Sequence, residues 1–147
     1  MLRCLGKLVL GSFCLVALAS AGCGGGEPFG YVPVTGTVTY EDGTPIVAES
    51  LEVTFYPQAP PIDAKTHPRP GVCIVNVADG TFKDATSHKP ADGIVPGMHK
   101  VTVQTFDKDH QPVKGILPPE YESPDTTPLT YDTASKAPAV LKVKKKQ

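Results

Sequence analysis

Sixteen prolines, all lying from Pro28 to Pro138, set the first limit on what this chain of 147 residues can fold into. Proline fixes φ, lacks an N–H and breaks a helix interior, and sheets tolerate it only at strand ends, edges and bulges. From residue 28 onward the prolines recur too often for long helices. The stretches between them are expected to be short strands joined by turns and loops.

Residue pattern supports that expectation. Residues 34–40 read Val-Thr-Gly-Thr-Val-Thr-Tyr, with Val34, Val38 and Tyr40 on one face and Thr35, Thr37 and Thr39 on the other. Period two with β-branched residues predicts a strand. Glu41-Asp42-Gly43-Thr44-Pro45 predicts a turn, because Asp-Gly accepts positive φ at low cost. Residues 51–56 alternate again, with Leu51, Val53 and Phe55 together, and residues 57–70, with five prolines, read as a long exposed loop. Residues 72–77 are apolar on both faces, as in a central strand covered on both sides or a strand at a sheet-to-sheet contact. Ala78-Asp79-Gly80-Thr81 predicts a tight turn and residues 81–86 its return strand. A second loop covers 87–96, and the longest run of strand formers is 98–106, where Val101, Val103 and Thr105 share a face. Residues 107–128 are polar and proline-rich, and short strands follow at 129–132 and 139–143. About seven short strands with turn signals between them predict a single all-β domain, an antiparallel seven-stranded β-sandwich of immunoglobulin-like outline.

The amino terminus differs from the rest. Arg3 and Lys7 precede an apolar run containing Leu8, Val9, Leu10, Phe13, Leu15, Val16 and Leu18. A membrane-spanning helix needs about 20 apolar residues; this run is shorter and ends in small residues, as a signal peptide does. Ala21-Gly22-Cys23 resembles the lipobox of bacterial lipoproteins, whose cysteine is lipidated and becomes the first residue after cleavage. Ser20 stands where that pattern prefers a large aliphatic side chain. The alternative is cleavage after Ala19 or Ala21 to a soluble secreted protein. The expected organisation is a lipoprotein signal peptide at 1–22, a glycine-rich tether at 23–33 and a β-sandwich domain at 34–147. Gly24 stands where the Gram-negative sorting pattern uses Asp to retain a lipoprotein at the inner membrane, so the resemblance implies the outer membrane.

Cysteine and charge bound the function. Cys4 and Cys14 would leave with the signal peptide and Cys23 would carry lipid, so Cys73 would have no intrachain disulfide partner. Loss of Arg3 and Lys7 from 14 basic residues leaves 12 against 15 acidic ones. That balance gives no footprint for nucleic acid.

The segments Val34-Thr35-Gly36-Thr37-Val38-Thr39-Tyr40, Asp42-Gly43-Thr44-Pro45 and Val53-Thr54-Phe55-Tyr56-Pro57 resemble the opening of carboxypeptidase regulatory-like (transthyretin-like) domains. Asp79-Gly80-Thr81-Phe82 and residues 92–101 continue the likeness. With Leu117-Pro118-Pro119-Glu120-Tyr121 and Thr126-Thr127-Pro128-Leu129-Thr130, the whole chain resembles small lipoproteins of planctomycete bacteria. The resemblance implies a transthyretin-like seven-stranded sandwich on a lipid anchor. Its motifs are turn signals, which speak to fold rather than activity.

The same superfamily includes hydroxyisourate hydrolases, with active-site His and Arg and a carboxy-terminal Tyr-Arg-Gly-Ser. This chain ends Val143-Lys144-Lys145-Lys146-Gln147, and Arg69, the only arginine after residue 22, lies in a proline-rich loop. His67, His88, His99 and His110 lack paired ligand spacing; His99, which shares parity with Val101 and Val103, is expected at the rim of the core and the others in solvent. Cys73, in an apolar strand, is expected to be a buried small hydrophobe. The Lys142 to Lys146 cluster reads as a solvated end, with contact to anionic lipid or polysaccharide as the alternative. Tyr121, Glu120, Asp107 and Asp109 are candidates for a calcium or glycan surface.

The expectation is a lipid-anchored, non-enzymatic component of the cell envelope with a structural or interaction role. Cys23 is the one assigned site, for lipidation; no catalytic, cofactor-binding or metal-ligating residue is assigned, and no cofactor is expected. Partners are the membrane through the lipid on Cys23 and an envelope protein or glycan. The alternative is an extracellular glycan- or peptide-binding module using residues 57–70 and 107–128, with a transthyretin-like hydrolase third.

Overall fold

A computed structural model describes residues 27–146. The signal peptide expected at 1–22 and the lipidation site Cys23 lie outside the described residues. Among those described, no helix is long and apolar enough to cross a membrane. The strands are β1 (Gly36–Tyr40), β2 (Ser50–Pro57), β3 (Gly71–Ile74), β4 (Thr81–Phe82), β5 (Met98–Phe106), β6 (Thr130–Asp132) and β7 (Ala139–Val143). The helical content described is two 3₁₀ turns, Pro119–Glu122 and Thr133–Ser135.

The strands form two sheets, one of three strands in the order β4-β1-β7 and one of four in the order β3-β2-β5-β6. Alternation decides what faces inward. Leu51, Val53 and Phe55 of β2 stand opposite Thr105, Val103 and Val101 of β5. On the other sheet Val38 pairs with Leu141 and Gly36 with Ala139. Side chains from both sheets join one buried cluster, which gives the all-β molecule its sandwich character. Burying a Leu or Phe fully contributes about 1.5–3 kcal/mol. Phe55 ties the layers together: its ring lies 6.0 Å from Phe82 of the three-stranded sheet, 6.1 Å from His99 and 5.7 Å from Tyr131.

Three expectations are corrected. The sandwich is not wholly antiparallel, because β1 pairs with β7 in parallel over its full length. These strands are the first and last among the described residues, and the chain between them supplies the long connection that a parallel pair requires. Residues 72–77 are not a central strand. β3 is outermost in its sheet, with Ile74 62% exposed, and Val75 then bridges to Phe82 of the other sheet. The double-sided apolarity reflects a chain passing between sheets, the second of the two readings above. The return strand expected at 81–86 stops after Phe82, because Asp84 takes φ 58° and breaks the extended run.

Residues 107–128 are more than loop. Val101 donates its N–H to the Leu129 carbonyl at 3.0 Å, Thr127 Oγ1 donates to the Val101 carbonyl at 2.6 Å, and Val113 donates its N–H to the Thr105 carbonyl at 2.8 Å. The segment thus lies along the edge of β5 that the short β6 leaves open. Leu117 and Tyr121 turn from it into the core, and Tyr121 Oη accepts the Lys144 N–H at 3.1 Å.

Candidate functional site

The strand registers bring one set of loops to one end of the molecule. Phe55 pairs with Gly71, Pro57 with His99, His99 with Tyr131 and Gly36 with Ala139. Residues 27–35, 57–70, 87–97 and 133–138 therefore open on the same end.

Each loop there is fixed by its own chemistry. In the first, the Asp63 carboxylate accepts N–H bonds from Lys65 (2.7 Å) and Thr66 (2.8 Å) and the Thr66 hydroxyl at 3.0 Å. The Lys65 N–H leads the effects that hold Asp63 below the usual carboxylate range. Beyond this turn Pro68 and Pro70 bias His67 and Arg69 to extended backbone. Extended residues two apart share a side, and Lys65, His67 and Arg69 all line one cleft.

In the second loop Asp92 accepts N–H bonds from Ser87 at 2.8 Å, His88 at 3.0 Å and Lys89 at 2.8 Å. Desolvation pushes the Asp92 pKa up, but those N–H groups outweigh it and hold the carboxyl below its usual range. The turn presents His88 to the same cleft. The amino-terminal segment closes the third side. Val32 and Ile94 exchange two backbone hydrogen bonds, at 2.8 and 2.9 Å, and the Glu27 carboxylate reaches His88 Nε2 at 2.7 Å and Lys89 Nζ at 3.9 Å. The chain is tied to the domain before β1 begins.

The resulting cleft is about 280 Å³, open to solvent and lined also by Phe29 and Tyr31. Desolvation, and then the Glu27 charge, raise the Tyr31 pKa. Among the described residues, Lys65 and Arg69 make no ion pair. Two uncompensated cations, two imidazoles and two aromatic rings thus converge on one space that holds one carboxylate. Such a site can take an anion with an apolar or ring-bearing portion.

The sequence had singled these residues out only separately, as solvated histidines and a lone loop arginine. The signal that unites them is Lys65-x-His67-x-Arg69 at period two, stiffened by two prolines. Of the other histidines, His110 stacks on Phe106, centroids 4.6 Å apart, with Nε2 3.4 Å from Glu52. His99 is not at the rim of the core but fully buried: Nδ1–H donates to the Gly97 carbonyl at 3.0 Å, and Nε2 has no partner among the described residues. Burial pushes its pKa down despite the backbone carbonyls nearby.

The remaining candidates do not assemble into a second site. Cys73 is fully buried, and desolvation, with a smaller effect of Asp84, pushes its thiol up to about 12. The thiolate is the nucleophilic form, so the side chain packs as a thiol. Tyr121 is a core residue and unavailable for a glycan surface. Asp107 is occupied in closing its own turn, accepting the N–H groups of Asp109 at 2.9 Å and Gln111 at 2.8 Å. Glu120 lies apart, in a recess with Lys144, Lys145 and Lys146. Among the described residues, no group of three or more His, Cys, Asp or Glu side chains is placed to hold a metal ion. Compared with known protein families, with curated proteins and with solved structures, the chain matches none.

Proposed function

We propose that this protein is a lipid-anchored, non-enzymatic module of the bacterial cell envelope, held through acyl chains on Cys23, with a transthyretin-like seven-stranded sandwich as its exported part. The observation that carries this reading is the order Arg3, Lys7, a short apolar run and Ala21-Gly22-Cys23. It is supported by the arrangement downstream, where the chain docks onto one end of the sandwich within a few residues of Cys23. Several acyl chains, at about 0.8 kcal/mol per buried methylene, hold a domain far more firmly than one marginal chain. The burial of Cys73, whose thiol is pushed up by desolvation, supports a role without catalysis. The outer membrane, on its periplasmic or outward side, is the compartment that Gly24 favours.

Intact mass and membrane fractionation of wild type and Cys23→Ala test this. Acyl mass and membrane association in wild type, with release of the variant, support the anchor. Wild type that is soluble and unmodified overturns it and makes the protein a secreted domain.

A second reading has its own observation. The cleft formed by residues 27–31, 65–69 and His88 favours a module that binds an extracellular glycan or peptide through its loops. Of the two loops considered for this from the sequence, 57–70 contributes to the cleft, whereas 107–128 is committed to edge and core packing.

A further inference from the structure

We propose that the cleft between the amino-terminal segment and residues 65–69 binds a phosphate group, and that its natural source is a lipid headgroup of the membrane that carries the protein. The assignment of the source rests on the anchored reading above; the site itself does not.

The chemistry of the cleft favours a tetrahedral oxyanion. Lys65, His67 and Arg69 approach from one loop and His88 from another. A planar carboxylate is satisfied by one bidentate guanidinium, whereas a phosphate offers acceptor oxygens to several donors at once. The cleft already draws in an oxyanion of the chain itself, since Glu27 contacts His88 at 2.7 Å. Glu27 is therefore the competitor that an incoming phosphate displaces. Arg69 and Lys65, with no carboxylate partner among the described residues, are the donors left for it.

Chain length supplies the source. Nine residue steps separate Cys23 from Val32, the point that stays fixed when Glu27 is displaced, and at about 3.3–3.6 Å per residue they span at most about 32 Å. The anchor cannot carry the domain farther from the bilayer than that at this end. The headgroup layers account for about 10–15 Å of the thickness of a bilayer, counted over both faces, so the cleft lies within reach of them. A lipid phosphodiester is the tetrahedral anion that this geometry holds beside the site.

The test follows the ring signals of His67 and His88 by NMR in the full mature chain, taken from whichever fraction contains it. Inorganic phosphate is expected to shift both rings. Arg69→Gln is expected to weaken that response about tenfold, matching the 1.4 kcal/mol that a tenfold change represents. Arg69→Lys retains the charge but loses the fork, so it should fall between the two. Glu27→Gln should strengthen the response. Both positions are exposed, so the three variants are expected to fold as wild type does. No phosphate response, a response untouched by Arg69→Gln, or an equal response to galacturonate overturns the site.

The source is read separately, with acylated protein in vesicles of phosphatidylglycerol or of digalactosyldiacylglycerol, which lacks phosphate. The shifts should appear in the first and not in the second. A response to inorganic phosphate but not to phosphatidylglycerol overturns the headgroup assignment. Absence of acyl mass overturns the anchored reading and, with it, the headgroup source, while the solution titration still decides the site.

Discussion

The two ends of the sandwich both carry cations, and they differ in what those cations touch. At the end bearing the carboxy terminus, Lys145 Nζ lies 2.6 Å from the Asp42 carboxylate and 5.3 Å from the centre of the Tyr40 ring. Lys142 donates to Thr39 Oγ1 at 2.8 Å, a contact fixed by the parallel register that sets those two residues side by side. Lys114 is 3.3 Å from Glu122. At the opposite end Lys65 and Arg69 have no such partner among the described residues. The densest run of positive charge in the sequence is thus partly compensated by its neighbours, while the dispersed loop cations are available. Strand register gives Lys142 its partner, and the folded chain brings Asp42 to Lys145, whereas the proline-stiffened loop leaves Lys65 and Arg69 without an ion pair among the described residues.

The largest expected effect comes from uncoupling the loop end. Gly93 takes φ +103°, and a Cβ there would lie 2.2 Å from the Val32 carbonyl oxygen. Gly93→Ala should therefore break the Val32–Ile94 bridge and cost about 2–4 kcal/mol from backbone strain and lost hydrogen bonds. Urea unfolding gives the cost. Hydrogen exchange should show the Val32 and Ile94 amides opening before that of Glu41, which bonds to Val143 at 2.9 Å at the other end. Simultaneous opening at both ends would show that they are one cooperative unit.

Asp92→Asn should cost less, about 1–2 kcal/mol, because an amide retains one acceptor for three N–H groups. Its signature is in pH. The folded Asp92 pKa is depressed, so its contribution is present above the unfolded value of about 4 and is lost as pH falls through the folded one. The wild-type advantage over Asn should shrink in that acidic window; an unchanged difference would mean that the carboxylate charge is not what closes the loop.

His99→Phe acts beneath the same end with the opposite balance. The folded pKa is lowered by burial, so the unfolded chain takes up the proton first. Wild-type stability should be level above about pH 6.5 and fall as pH drops below it, toward the folded value. The variant loses one hydrogen bond to the Gly97 carbonyl, which still accepts the Thr133 N–H at 3.2 Å. Its stability should lie within about 1 kcal/mol of wild type at pH 8. It should then lack the decline below pH 6.5; a parallel decline would assign that slope to other groups.

The same contrast explains what could be read in advance. Strands 98–106 and 139–143 were legible to the residue because alternation and β-branching act locally, and Leu51, Val53 and Phe55 were placed on the correct face for that reason. The parallel pairing of β1 with β7 was not, since no local pattern in residues 36–40 specifies a partner a hundred residues away. Leu117 and Tyr121 were hidden by the prolines and polar residues around them, although two large apolar side chains in a supposed loop were a signal of burial. The cleft was least legible. Its residues come from three segments, and only the fixing of 27–33 onto the 87–97 loop brings Glu27, Tyr31 and His88 against Lys65 and Arg69.

The smallest expected effect on stability is at the far end, and it tests the contrast most sharply. Asp42 is solvent-exposed, and its pKa is held well below the usual carboxylate range first by Lys145, then by the Thr44 hydroxyl and N–H. An exposed ion pair contributes little and is screened by salt, so Asp42→Asn should leave the unfolding midpoint unchanged at physiological ionic strength. What should change is availability. In wild type the Lys145 ammonium is engaged and should respond weakly to inorganic phosphate; in Asp42→Asn it is released and should respond more strongly, while His67 and His88 respond as before. If the wild-type lysines at 144–146 already respond as strongly as the cleft, then local charge density decides where anions go and the ion pair of Lys145 with Asp42 does not.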